Sequence, residues 1–165
     1  MEFWDIYDEN KNLTGRTMKR NDWNMQPGEY HLTVLAILRR PDGRYLITQR
    51  SQNKAWAAGC WEIPGGGVMA KESSQEAIQR EVLEETGLDV SGIPYVNIDT
   101  YRSENAQEKN NYFVDIYTYE FDFKEEDVTI QTEEASGFLL ATREEICRFA
   151  EEGRFLHFQR IAHLL

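Results

Sequence analysis

An α+β fold is what this sequence predicts, and three patterns carry the expectation. β-rich runs such as HLTVLAILRR and NYFVDIYTYEFDF are bounded by turn-forming residues. One internal stretch, beginning at Ser73 or Ser74 and ending at Gly87, changes to helical periodicity with start and stop signals at its ends. The remaining helical patterns follow the last strand, and strands with a few helices between and after them pack as layers. The 165 residues fit one domain, 1–165, with no room for a second of ordinary size. Hydrophobic residues at 41% and aromatics at 12% are enough for a packed core.

The first twenty residues predict a hairpin over 1–20. Phe3, Asp5 and Tyr7 alternate with Trp4, Ile6 and Asp8, and a turn-like ENKN precedes LTGRTMK. Asn21 to Glu29, with Pro27-Gly28, reads as a linking loop. The core, 30–142, opens with HLTVLAILRR and RYLITQR, strands joined by Pro41-Asp42-Gly43. SQNKAWAAGC interrupts the pattern and leads through Trp61-Glu62-Ile63-Pro64 into three glycines. If Ser73 is the N-cap, Glu76 completes a capping box, and Gly87 suits a helix end. YVNIDTYR and NYFVDIYTYEFDF form a hairpin around the polar SENAQEKN, and GFLLAT is a short strand. Over 142–165 two helices are expected: REEICRFAEEG, ended by Gly153, and the amphipathic RFLHFQRIAHLL.

A net charge of −11 argues against a protein that grips nucleic-acid polymers through a basic surface. An anionic small molecule stays possible if a divalent cation reverses the sign of one pocket. Cys60 and Cys147 have neither CxxC spacing nor a histidine partner, so no zinc site or disulfide framework is expected. The N-terminus lacks a basic segment followed by an apolar run, and no stretch approaches ~18 consecutive apolar residues. No membrane partner and a cytoplasmic location follow as expectations.

The helix itself poses the chemical question. Glu81, Glu84 and Glu85 project onto one side, and uncompensated like charges at such spacing cost ~0.2–0.5 kcal/mol per pair. Ala77, Ile78 and Val82 form a stripe able to dock the helix on a sheet, so the carboxylates are not free to splay. Fixed carboxylates suit a hard divalent cation such as Mg²⁺, which takes oxygen ligands. Arg80 stands beside Glu81 and has Glu72 as its obvious partner. Gly65-Gly66-Gly67 allow close approach of the chain to a ligand, and a carbonyl there can add another oxygen.

Gly66, Glu72, Arg80, Glu81, Val82, Glu84, Glu85, Gly87 and Leu88 fill, without departure, the spaced motif of the Nudix hydrolases. The chain therefore resembles that family, also in its WEIPGGG entry and its late acidic QTEEASGFLL. The resemblance implies an α/β/α sandwich around a mixed sheet and dependence on Mg²⁺ or Mn²⁺. It further implies hydrolysis of a nucleoside diphosphate linked to another group, and a homodimer is common among relatives. By the family pattern Glu81 and Glu85 are the firmest metal ligands, Glu84 follows, and the carbonyl of Gly65 completes the shell. The general base is Glu84 or Glu134, with Glu133 beside the latter. Arg80 orients a carboxylate, Gly66, Glu72 and Gly87 maintain the motif's shape, and Arg50 meets substrate phosphate. Tyr101, Tyr112 and Phe113 are aromatics able to stack on a base.

Two other readings compete. The opening WDIYDENKN, His31 and the tryptophan-containing loop are similar to isopentenyl-diphosphate isomerases, but EIPGGGVMAKE lacks the cysteine and histidine those enzymes use. The other is a silent nucleotide-binding module, and every metal carboxylate is present against it. Neither the proline expected of ADP-ribose hydrolases nor an SQPWPFP-type run follows the motif, so the substrate is left open.

Overall fold

The computed structural model of the chain describes residues 1–165. Its strands are β1 (Phe3–Tyr7), β2 (Leu13–Lys19), β3 (His31–Arg39), β4 (Tyr45–Arg50), β5 (Trp61–Glu62), β6 (Gly65–Gly67), β7 (Asn97–Ser103), β8 (Tyr112–Glu120) and β9 (Ala135–Ala141). The helices are α1 (Ser74–Thr86), α2 (Arg143–Glu151) and the short α3 (Phe158–Ile161). β1 and β2 form a separate antiparallel hairpin, while the other seven strands make one mixed sheet. β3 and β8 run parallel in its centre, from His31↔Tyr112 to Arg39↔Glu120.

Helices cover the sheet on both faces. Along β3, Leu32, Val34, Ala36 and Leu38 pack with Ala77, Ile78 and Val82 of α1, whereas Leu35 and Ile37 pack with Ile146 of α2 and Ile161 of α3. A strand buried on both faces has no need of a polar face, which is why β3 reads as a nearly continuous apolar run. This is the α/β/α sandwich expected, built as an α+β fold on an open sheet.

The two strands flanking Pro41-Asp42-Gly43 pair only at Arg39↔Tyr45 and then part. β6 takes the vacated edge of β3, with Leu35 opposite Gly65 and Val34 opposite Gly66, and Ala36 donates to the carbonyl of Pro64 at 2.8 Å. β4 turns instead to β5 and β9. The glycine loop is thus wedged into the gap where the sheet divides.

The long C-terminal helix expected over RFLHFQRIAHLL is not formed. Phe155 bridges to Trp61 in extended conformation, and His157, at φ 61°, sits in the left-handed region and cannot continue a helix. Only α3 and a following helical turn at Ala162–Leu164 remain. No helix is long and apolar enough to cross a membrane.

Candidate active site

Local chemistry sets α1 in place before any ligand is considered. Ser73 Oγ accepts from the amide of Glu76 at 3.1 Å, and Glu76 Oε2 accepts from the amide of Ser73 at 2.8 Å, closing the capping box. Gly87, at φ 74°, ends the helix by donating its amide to Leu83. Ala77, Ile78 and Val82 are fully buried, which turns Glu81, Glu84 and Glu85 toward the glycine loop and the adjoining cleft.

Arg80 ties helix and loop together. Its guanidinium donates to both oxygens of Glu72, at 3.0 and 3.1 Å, to the carbonyl of Gly67 at 3.1 Å, and to Glu81 at 2.7 Å. A longer contact of 3.4 Å reaches Glu84. The Glu72 partner is the one its spacing suggested, and Gly66 shows why that position is glycine. A Cβ on Gly66 would overlap the Glu81 carboxylate, and one on Gly65 would overlap the backbone oxygen of Val34.

These groups line a polar cavity of about 350 Å³ that contains Gly65, Glu81, Glu84, Glu85, Arg50 and Glu134. Glu85 accepts from the Gly65 amide at 3.2 Å, yet burial pushes its carboxyl well above the usual range, with Glu81 and Glu62 adding to the shift. Burial also raises Glu81, and Arg80 opposes it. Negative charge is therefore in excess here and lacks a full set of partners.

Hard oxygen donors with excess negative charge fit a divalent cation in chemical type. The three glutamates do not, however, form a ready-made ligand cluster, and no group of three or more acidic, histidine or cysteine side chains does so anywhere in the structure. The reason is visible in the geometry: Glu81, lying against Gly66, and Glu84 both turn to Arg80, whereas Glu85 turns to the Gly65 amide. A cation held by Glu81 would have to share that carboxylate with Arg80.

Across the cavity, Glu134 pairs with Lys54, while Glu133 is exposed and lies outside the lining. Arg50 contacts Glu62 at 3.4 Å, donates to the carbonyl of Trp56 at 3.1 Å and stacks over the Trp56 ring at 5.3 Å. Glu62 was not singled out from the sequence, although its place at the entry to the glycines was a signal. Glu2 and Arg20 of the hairpin also line the cavity and were missed, because nothing local in the sequence links residues 2 and 20 to residue 81.

A second cavity, about 590 Å³ and more apolar, adjoins the first through Leu35, paired with Gly65, and through Trp56, stacked on Arg50. Trp23, His31, Trp56, Tyr101 and Tyr112 are among its walls. Tyr101 carries Arg160 over its ring at 4.7 Å, and burial pushes its hydroxyl up to about 12. Phe113 lines neither cavity. It points to the α1 side of β8 and packs on Tyr30 with centroids 4.8 Å apart, while its neighbour Tyr112, on the other face, lines the second cavity.

Comparison with known proteins gives this geometry its context. The NUDIX domain family model matches residues 29–163. The chain belongs to the Nudix hydrolase family. An uncharacterized Nudix hydrolase of Listeria monocytogenes is 32% identical over 159 residues, covering 96% of this chain and 90% of that one. A crystal structure from Deinococcus radiodurans superposes with a TM-score of 0.70 at 22% identity, covering 91% of this chain and 90% of that one, a likeness of fold. The MutT protein of Methanosarcina mazei Go1 gives 0.58 at 25% identity, over 76% of this chain and 96% of that one. As a Nudix hydrolase this chain is a pyrophosphohydrolase of a family that acts on nucleoside diphosphate derivatives, generally with divalent metal ions. Membership lends no support to the isomerase reading, and neither Cys60 nor Cys147 lines the acidic cavity.

Proposed function

We propose that this enzyme, working as one domain over residues 1–165, hydrolyses the diphosphate bridge of a nucleoside diphosphate linked to another group, in a reaction dependent on Mg²⁺ or Mn²⁺. The observation that carries the reading is Glu85, a buried carboxylate against Gly65 whose charge is opposed by Glu81 and Glu62 and which no cationic side chain neutralises. Glu81, Glu84, Glu85 and the carbonyl of Gly65 would hold the cation. When bound, it neutralises phosphate oxygens and lowers the pKa of water.

The chain's own groups supply the rest. Arg80 orients Glu81 and Glu72. Arg50 offers a guanidinium to a phosphate oxygen while Trp56 fixes its plane. Glu134, paired with Lys54, lines the cavity together with the α1 glutamates and accepts the proton of the attacking water; Glu84 is the other candidate. As the water oxygen bonds to phosphorus, the bridging P–O bond breaks and the leaving phosphate takes its electron pair. Tyr101 and Tyr112 then border the half of the substrate in the second cavity. The two free cysteines suit a reducing cytoplasm, and a homodimer is the family expectation.

A panel of nucleoside diphosphate derivatives, assayed with wild type and Glu85→Gln, tests the proposal. Wild type should release phosphate-containing products only with divalent cation, and the variant should lose roughly 100-fold or more. Equal activity of the two proteins would sink the metal assignment.

A further inference from the structure

The segment that precedes the family's matched span, residues 1–28, closes over both cavities. The Nudix motif lies elsewhere in the chain, over Gly66–Leu88, and the hairpin is not part of it. It is firmly docked. Lys11 reaches the buried Asp115 at 2.7 Å, an acid that also accepts from Ser74 at 2.6 Å and Thr100 at 2.7 Å. Trp4 stacks flat on His31 at 3.9 Å and lies against Gly67. Phe3 accepts from the amide of Ala70 at 2.7 Å, and Asp5 from that of Lys71 at 2.8 Å.

This docking aims the hairpin's open end, where Arg20 and Glu2 meet, into the acidic cavity. Four cationic side chains line that cavity, and three are committed. Arg80 is bonded to Glu72, Glu81 and the Gly67 carbonyl; Arg50 to Glu62 and Trp56; Lys54 to Glu134. Arg20 has a single side-chain partner, Glu2, and both are about half exposed, at 48% and 45%. A guanidinium carries five donors in a planar fork, so most of Arg20 is free to meet phosphate oxygens two at a time. Three residues on, Trp23 leaves the hairpin, meets Trp4 edge-on at 5.9 Å, and forms a wall of the second cavity.

We propose that the N-terminal hairpin grips the substrate from above the site, with Arg20 binding a phosphate of the diphosphate and Trp23 covering the nucleoside half in the adjoining cavity. The inference rests on the hydrolase reading given above and assigns two recognition residues to it. Glu2 is displaced from Arg20 as the phosphate enters. The two contacts are separable, because one belongs to the anion and the other to the planar group.

Calorimetric titration of the full chain with inorganic pyrophosphate, and with the nucleoside diphosphate it binds best among ADP, GDP, CDP and UDP, distinguishes them. Arg20→Ala should weaken both ligands about tenfold or more, and Arg20→Lys should recover part of the loss. Trp23→Ala should leave pyrophosphate unchanged and weaken only the nucleoside diphosphate, by roughly fivefold or more. In turnover both effects should fall on KM rather than kcat. Arg16→Ala, in the same hairpin but paired with Glu29, is the control expected to bind like wild type. Wild-type binding of pyrophosphate by Arg20→Ala, or equal losses for both ligands in Trp23→Ala, overturns the proposal while an active wild type preserves the hydrolase reading. A wild type that neither binds pyrophosphate nor hydrolyses any derivative overturns both.

Discussion

Arg80 carries more of the site's geometry than any other single side chain. Replacing it with alanine leaves Glu72 and Glu81, both largely buried, without their cation. An unpaired buried charge is costly, and partial exposure here tempers that cost, so Arg80→Ala should lose about 2 kcal/mol in urea unfolding. Activity should fall with it, because Glu81 loses its orientation. The Glu72 pairing was legible from the motif, since both residues stand at fixed places around the helix start. The bonds to Gly67 and Glu81 were not, because they exist only once the loop folds back on α1. Phe113 teaches a related lesson. NYFVDIYTY is apolar at most positions, so the sequence could not show which parity faces the cavity, and pairing with β3 decided for Tyr112 and Val114.

Among elements, the glycine loop is the one whose sequence and position most constrain each other. Val34 and Leu35 lie so close that a methyl group on Gly65 meets fixed backbone, which cannot yield as a flexible side chain would. Gly65→Ala should therefore destabilise the protein by about 1–3 kcal/mol, read as a lowered Tm, and reduce activity by moving the loop carbonyl. The helix α1 was fully legible, from the Ser73 cap to the Gly87 stop, because its signals are local. The last segment was misread because its periodicity is helical while its partner is not. Arg154 and Leu156, on either side of Phe155, take backbone bonds with Trp61, a residue far away in sequence, and that pairing overrides local preference. The parting of β3 from β4 was hidden for the same reason, since their turn looks like that of any hairpin.

At the scale of the whole molecule, hairpin, sheet and site are coupled through His31. It is buried between Trp4 and the second cavity, accepts or donates a bond with Asn110 at 3.1 Å, and burial pushes its imidazole down to about 4. A histidine depressed in this way folds neutral. The unfolded chain binds the proton near pH 6.5, so stability should be full above that value and fall as the pH drops toward 4. Thermal unfolding between pH 7 and 4 should show this loss, on the order of 3 kcal/mol at most, and His31→Asn should flatten part of the profile.

The α+β fold was readable from the sequence, and so was the gathering of Glu81, Glu84 and Glu85 along one side of a short helix, because the signals for both are local. The hairpin's share of the cavity was not, because only tertiary docking brings Arg20 near Glu81. For the whole molecule the proposed reaction turns on local charge: Glu81, Glu84 and Glu85 of α1 face one cavity, Glu85 has no cationic partner there, and a divalent cation is proposed to supply the missing charge. Titration of Mn²⁺ into wild type and Glu85→Gln, followed by electron paramagnetic resonance with Mg²⁺ as competitor, tests it most directly. If Glu85 holds the cation, wild type should bind Mn²⁺, Mg²⁺ should displace it, and the variant should bind roughly 10–100-fold more weakly. Equal affinity in the two proteins would contradict it.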